Sequence, residues 1–539
     1  MIADHLGNAT MPLPEDAGGH EAPGPDEARG LPRLLWGNGA PRWLLPVASA
    51  AVLLVMLGSQ TLWTHEGRWA VITREMERSG DYFHPRLFDD DYFDKPLFSY
   101  WLMIGAGRLL GGLNEWTLRL PGVLAGLLTI WCTVRLGRLL GSREAGLVAG
   151  WMLASCYFFV FWSRLACSDM LNVAAVTAAV TWYFGRRDRP GFATWAVFFA
   201  ILGVGSLMKG PVAAALAIVA VGADLLSAGR WRIHVRPSMF LGALTGLLGF
   251  LLPGVLAVVF GSAANLSSEL GAVFRENFVR YFHPFDHADP FYTYAEYLPA
   301  YALPWTLLLP FVIRRDARRW KELGASAHWP LLAAVGIFIF LTLGAGRRNY
   351  YILPILPLLM LAAADWVCAA GARSRRASIT AWTAAVCWSG MILYFGVAVP
   401  YAATKGGART MAQEVRTEAG CLAPWRSWEV QLYAVKPQLA YYLDTGAQPR
   451  RAGEEELGAL VARVRDHPRT IVVTRNRFLK DLEPLMTRSR IVRERSMLPW
   501  SLGEFRSDLE GMVALLPNVL PPEGPAKSES DRPADGKRR

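Results

Sequence analysis

Trp63-Thr64-His65-Glu66-Gly67-Arg68-Trp69 opens the stretch on which the fold turns, and Tyr92-Phe93-Asp94-Lys95-Pro96 closes it just before Tyr100-Trp101. The stretch begins where the first long apolar run, Leu44 to Leu62, ends. Acids, bases and aromatics crowd here in a chain that is otherwise oily. Of 539 residues, 53% are hydrophobic and only 19% are charged. That balance belongs to a polytopic membrane protein, not a soluble enzyme. Ionisable groups gathered at a membrane surface point to chemistry or ion passage. A solvated loop with a few salt bridges is the plainer alternative.

The formal net charge is +11. Lys and Arg sit in short clusters between apolar runs, as cytoplasmic loops of membrane proteins are charged, so no nucleic-acid partner is required. The six cysteines are scattered, with no CxxC and no Cys/His cluster of zinc-finger spacing. Residues 1–42 are rich in Gly, Pro, Ala and acids and read as a disordered tail. Arg42 precedes the first span, Trp43 to Trp63, which favours a cytoplasmic N-terminus and places the loop 64–116 outside.

Leu97 to Leu113 reads as a helix lying at the interface, because only one span can cross between that loop and Arg135, Arg138 and Arg143. Further spans are expected at Thr117–Val134, Ala145–Phe161, Leu171–Phe184, Ala193–Met208, Val212–Leu226, Phe240–Phe260, Tyr301–Ile313, Pro330–Leu343, Ile352–Ala370 and Ile379–Pro400. That gives about eleven crossings in residues 43–400, several shorter than the ~20 residues usually needed. Residues 401–516 then read as a small extracytoplasmic α/β domain. Strands are expected at Leu432–Val435, Thr470–Val473 and Arg490–Val492, with helices at Pro437–Leu443, Glu454–Arg465 and Phe478–Met486. Residues 517–539 read as a disordered tail.

This topology puts every unusual polar element on one face: His65, Glu66, Arg68, Asp94, Lys95, Asp169, Lys209, the Arg275–His287 stretch, and Arg347 and Arg348. The last two break the positive-inside pattern, which an anionic ligand would explain. Carboxylates there suit acid/base work and the cations suit a phosphate.

These residues resemble a known family. Glu66-Gly67-Arg68-Trp69-Ala70, Arg74-Glu75-Met76, Ser79-Gly80-Asp81, Pro85, Tyr92-Phe93-Asp94-Lys95-Pro96 and Tyr100-Trp101 look like the first periplasmic loop of the aminoarabinose transferase and protein O-mannosyltransferase group, with its GT-C architecture. Ser168-Asp169-Met170, Lys209-Gly210-Pro211, Arg280-Tyr281, Pro304-Trp305 and Tyr350-Tyr351-Ile352-Leu353-Pro354 follow in matching order, so the resemblance covers about Trp43 to Ala370.

The resemblance implies transfer of a sugar from a polyprenyl phosphate to an acceptor hydroxyl on lipid A, protein or glycan, at the periplasmic face of a bacterial inner membrane. Inversion at the anomeric carbon is usual in the family, and no nucleotide sugar is used. It implies phosphate-holding roles for Lys209 and Arg280, with Arg68, Lys95, Arg347 and Arg348 as further cations. The family's first loop carries an Asp-Glu pair, and here His65 replaces the Asp. Glu66 is the favoured base with His65 positioning the acceptor; His65 as base, an imidazole titrating near ~6.5, stays open, as does loss of the activity. Asp94 stands where the family has a metal-holding Glu, but Asn277 replaces its His partner. A divalent metal is possible through His283 and His287, and no metal ligand is assigned. Asp169 is a further catalytic candidate, or a helix N-cap. A polyprenyl-linked sugar flippase or a non-catalytic lipid-phosphate binder on the same scaffold are the competing functions; a flippase should show midplane charges and repeat symmetry.

Overall fold

The computed structural model describes residues 30–88, 90–260, 289–322, 325–371, 374–433, 437–445, 450–452, 456–482, 485, 489–493 and 511–517. Arg280, His283, His287 and most of both expected tails lie outside the described residues. The part of the N-terminal tail that is described corrects the expectation of disorder up to residue 42. Leu31–Leu35 forms a short helix, α1, and Trp36 is buried. Leu35 and Trp36 supply the apolar surface that the Gly/Pro composition hid, and the Trp151 indole N–H donates to the Leu35 carbonyl at 3.0 Å.

The first expected span breaks early. Helix α2 covers only Leu44–Leu54, and α3 begins at Thr64 and runs to Ser79. Between them the chain turns, and its carbonyls need partners in an apolar setting. Two buried arginines from later in the sequence supply these. Arg164 donates to the carbonyls of Val52, Leu53 and Val55 at 2.7–3.0 Å. Arg119 donates to those of Leu57, Gln60 and Thr61 at 2.8–3.1 Å.

Helix α3 begins inside what the sequence suggested was a loop, and it carries His65 and Glu66. Both sit in the first turn of a helix, where consecutive side chains are about 100° apart. Gly80, at positive φ, ends the helix. A two-residue hairpin follows, β1 (Arg86–Leu87) against β2 (Asp90–Asp91), then α4 (Phe98–Leu109). At 12 residues α4 is too short to cross a bilayer, and Leu109 at its end is 85% exposed, as expected of an interfacial helix.

The helical bundle continues through α5 (Glu115–Leu139), α6 (Arg143–Ala154), α7 (Tyr157–Ser163), α8 (Asp169–Arg186), α9 (Phe192–Lys209), α10 (Val212–Ser227), α11 (Trp231–His234) and α12 (Pro237–Phe260). After the undescribed segment come helices at Thr293–Tyr301, Leu309–Arg318, Ala325–Leu343, Leu356–Cys368 and Arg375–Leu393. Among the described residues, four helices are long and apolar enough to cross a membrane, or six if the bent pairs Arg143–Ser163 and Thr293–Arg318 each count as one. Further expected spans fall on shorter apolar helices, including Leu44–Leu54, Val212–Ser227 and His328–Leu343. The expected eleven crossings thus exceed what length and composition alone establish.

The C-terminal part holds a five-stranded sheet in the order β4-β3-β5-β7-β6. Its strands are β3 (Glu429–Tyr433), β4 (Arg450–Ala452), β5 (Thr470–Arg475), β6 (Ser489–Arg493) and β7 (Met512–Pro517). β4, β3 and β5 run parallel, and β7 is antiparallel to both β5 and β6. The expected helix over Phe478–Met486 is, where described, two short 3-10 turns, Asn476–Phe478 and Lys480–Leu482.

This domain grips α3. Val71 of α3 and Phe88 of the hairpin are buried in the domain's own core with Met411, Leu432 and Leu439. Arg74 donates to the carbonyls of Tyr441 and Ala440, and Arg78 pairs with Asp444 at 2.6 Å. Gly67 faces the helix Gln438–Tyr442 so closely that an added Cβ would lie 2.5 Å from the Gln438 nitrogen. Only a residue without a side chain fits there.

Candidate active site

Glu66 is fully buried. Its Oε1 accepts from Arg119 Nε and from the Ala166 backbone N–H, each at 2.8 Å. Its Oε2 accepts from Arg119 Nη2 at 2.7 Å and from the Trp63 N–H at 2.8 Å. The Trp63 contact is the backward half of a capping box on α3. Arg119 in turn spends its remaining donors on the chain turn before α3. The close approach that lets Ala166 reach Glu66 depends on Gly122 of α5, where an added Cβ would lie 2.8 Å from the Leu165 carbonyl oxygen. Glu66 therefore holds the first turn of α3 in place, and this differs from its expected role as the base.

His65 points the other way. Its side chain is 22% exposed, and Nε2 lies 3.7 Å from Asp169 Oδ2. The ring stands edge-on to Trp162 and Tyr350, with centroids 5.7 and 5.3 Å apart. Asp169, the first residue of α8, is buried, and its other oxygen is ion-paired with Lys209 at the end of α9. The Lys209 ammonium also lies over the rings of Tyr350 and Tyr351, 5.4 and 4.7 Å from their centroids.

Arg68, one turn along α3 from His65, donates from Nη1 to the Tyr92 hydroxyl at 2.6 Å. Its Nε is buried without a partner in the described structure. Burial works against its charge, but Tyr92, Tyr100, Tyr350 and Asp94 raise its pKa above the ordinary guanidinium value. The cation is thus held charged beside Tyr92 and Tyr350.

The other expected cations divide. Lys95 donates to the Asp94 carbonyl at 3.1 Å, and Asp94 itself is exposed. Arg347 donates to the Thr342 carbonyl from Nε and Nη2 and to the Asp289 carbonyl from Nη1, at 3.0–3.2 Å. It satisfies the end of the helix Ala325–Leu343, which explains an arginine at this face without an anionic ligand. Arg348 lies close enough to Tyr350 to act on it electrostatically. The structure so brings together His65, Asp169, Lys209 and Arg68, and sets Glu66 and Arg347 into the scaffold.

Against known proteins, residues 94–254 match the family model of dolichyl-phosphate-mannose-protein mannosyltransferases. An undecaprenyl phosphate-α-4-amino-4-deoxy-L-arabinose arabinosyl transferase of Pectobacterium atrosepticum is 27% identical over 402 residues, 70% of each chain. One from Pseudomonas fluorescens is 29% identical over 59% of this chain and 57% of its own length. The crystal structure of ArnT from Cupriavidus metallidurans bound to undecaprenyl phosphate superposes with a TM-score of 0.64 at 20% identity, covering 89% of this chain and 99% of that one. The chain has the fold of these membrane glycosyltransferases and is similar in sequence to the arabinosyl transferases. An Archaeoglobus fulgidus oligosaccharyltransferase shares the fold at a TM-score of 0.51 and 12% identity, over 81% of this chain and 68% of that one.

Arg119, Trp162, Cys167 and the roles of Tyr350 and Tyr351 were not evident in the sequence. Arg119 carried a usable signal, a charge inside an expected span. Trp162 and Cys167 carried none. For a metal, the described residues gather His65, Cys167 and Asp169, whose ligand atoms lie within 4.8 Å of one another. The nitrogen, sulfur and oxygen donors suit a zinc-like ion. Lys209 already balances the Asp169 charge, however, so the set fits a proton-transfer cluster better than a cation site. Asp94 belongs to no group of three such ligands among the described residues.

Proposed function

We propose that this transferase moves a sugar from a polyprenyl phosphate to an acceptor hydroxyl, with His65 as the general base. The observation that carries the assignment is the contrast within one helical turn. Glu66 has both oxygens fully engaged and is sealed from solvent, whereas His65 is partly exposed and faces Asp169. With its Nε2–H turned to Asp169, the imidazole presents Nδ1 as the proton acceptor. The 3.7 Å separation is long for a hydrogen bond, as catalytic contacts often are before substrate binds.

The reaction then balances simply. Nδ1 takes the hydroxyl proton as the acceptor oxygen bonds to the anomeric carbon. The carbon–oxygen bond to the phosphate breaks, and the phosphate leaves with the electron pair. Lys209 and Arg68 stabilise that departing charge. Arg280 and Lys95 join them on the strength of sequence. Asp169 orients His65 and stabilises the imidazolium, as a carboxylate does beside a catalytic histidine.

The names of the relatives make undecaprenyl phosphate-linked 4-amino-4-deoxy-L-arabinose the first donor to test, with lipid A the first acceptor. The distribution of Lys and Arg between the apolar runs supports a reaction at the periplasmic face of a bacterial inner membrane, with the N-terminus inside and the C-terminal domain outside. The test is transfer by the purified, reconstituted chain. His65→Ala should slow turnover by roughly 10²–10⁴-fold with little change in donor binding. His65→Asp should keep activity and move the acid limb of the pH–rate profile downward, toward the ordinary carboxylate range. Full rate in His65→Ala would refute the assignment.

A further inference from the structure

A cavity of about 430 Å³ opens at the far end of the bundle, lined by Arg42, Arg138 and Arg143 over walls of Leu35, Leu45 and Leu147. Arg138 lies in the last turn of α5, Arg143 starts α6, and Arg42 precedes α2. Arg119, in the catalytic scaffold, sits nineteen residues before Arg138 on the same helix. At the ~1.5 Å rise per residue these levels are about 28 Å apart, close to the ~30 Å hydrocarbon thickness of a bilayer. The cavity is therefore at the opposite membrane surface from His65.

All three arginines are exposed, and none has an ion-pair partner among the described residues. No carboxylate lines the cavity, and Glu144, next to Arg143, lies close enough to Cys368 to act on it electrostatically. The neighbouring Arg135 is laid over the ring of Trp131 at 5.7 Å. Below the cavity, α5 exposes Leu124, Leu128 and Trp131 at helical spacing, and Trp43, just before α2, and Val47 within it are also exposed. The site thus combines a cationic cup at headgroup depth with apolar stripes running from it toward the middle of the bilayer.

We propose that this cavity binds the phosphodiester headgroup of an anionic diacyl phospholipid, whose acyl chains lie along the exposed faces of α5 and α2. A soluble anion would have no use for the stripes. Arginines serving only membrane orientation would not need to share a cup without carboxylates. The inference stands apart from the proposed reaction, because none of its residues belongs to the catalytic cluster.

The test uses the full chain reconstituted in phosphatidylcholine with spin-labelled phosphatidylglycerol or phosphatidylcholine of identical chains. The fraction of label held at the protein gives the relative affinity. Phosphatidylglycerol should be preferred, and each Arg→Gln substitution at 42, 138 or 143 should reduce the preference about fivefold, toward a hundredfold in the triple variant. Leu147→Glu, which keeps the arginines but adds a carboxylate, should reduce it similarly and guards against misfolding of the triple variant. Transfer activity should persist in Leu147→Glu. Equal retention of the two lipids by the unaltered chain would overturn the proposal. So would a preference that survives both variants, or complete displacement by soluble glycerol 1-phosphate.

Discussion

His65 and Glu66 are adjacent, yet the helix gives them different work. The sequence offered both as bases, and nothing local separated them. The separation comes from Arg119, 53 positions after Glu66, which meets both carboxylate oxygens. Glu66→Gln would leave a buried guanidinium without its counter-charge. The expected loss of stability is about 3–5 kcal/mol, as for other broken buried pairs. Thermal unfolding in detergent would show it, and Glu66→Leu combined with Arg119→Met should not recover the loss, because the carbonyls of Leu57, Gln60 and Thr61 would lose their donor. A Glu66→Gln protein that melts like the unaltered chain but has no activity would instead return Glu66 to the chemistry. Asp169→Asn tests the partner of the base. It should lower turnover more than donor affinity, because Asp169 touches His65 as well as Lys209.

Helix positions along the bundle were legible because long apolar runs with basic flanks leave few alternatives. Helix α8 and α9, for example, begin and end within two residues of Leu171–Phe184 and Ala193–Met208. The break after Leu54 was not legible. Its carbonyls are satisfied by Arg119 and Arg164, which are remote in sequence, so an unbroken apolar run concealed a turn. Helix α3 was read as a loop because it is polar; Trp69, Ala70, Ile72 and Met76 pack into the bundle core, and the C-terminal domain covers Val71. Gly67 is the sensitive point of that contact. Gly67→Ala should push the helix Gln438–Tyr442 away at a cost of roughly 1–3 kcal/mol. Limited proteolysis near Gly406-Gly407 should then proceed faster and turnover should fall. Cleavage at an unchanged rate would show that the docking tolerates a methyl group.

At the scale of the whole molecule, the two ends of the bundle differ in charge logic. At one end cations face aromatics and a carboxylate; at the other, arginines stand exposed beside apolar stripes. A C-terminal reporter active only outside the cytoplasm should be active on this chain, and one active only inside would reverse the assignment of both surfaces. The grip of the C-terminal domain on α3 also has a consequence for biogenesis. Synthesis proceeds from the N-terminus, so His65 leaves the ribosome more than 370 residues before Gln438, whose helix closes over Gly67. The turn that carries His65 stays uncovered while the bundle inserts and is covered only when the final domain has folded. A truncated or stalled chain would therefore reside in the membrane without the geometry proposed for His65, which ties the proposed activity to completed synthesis.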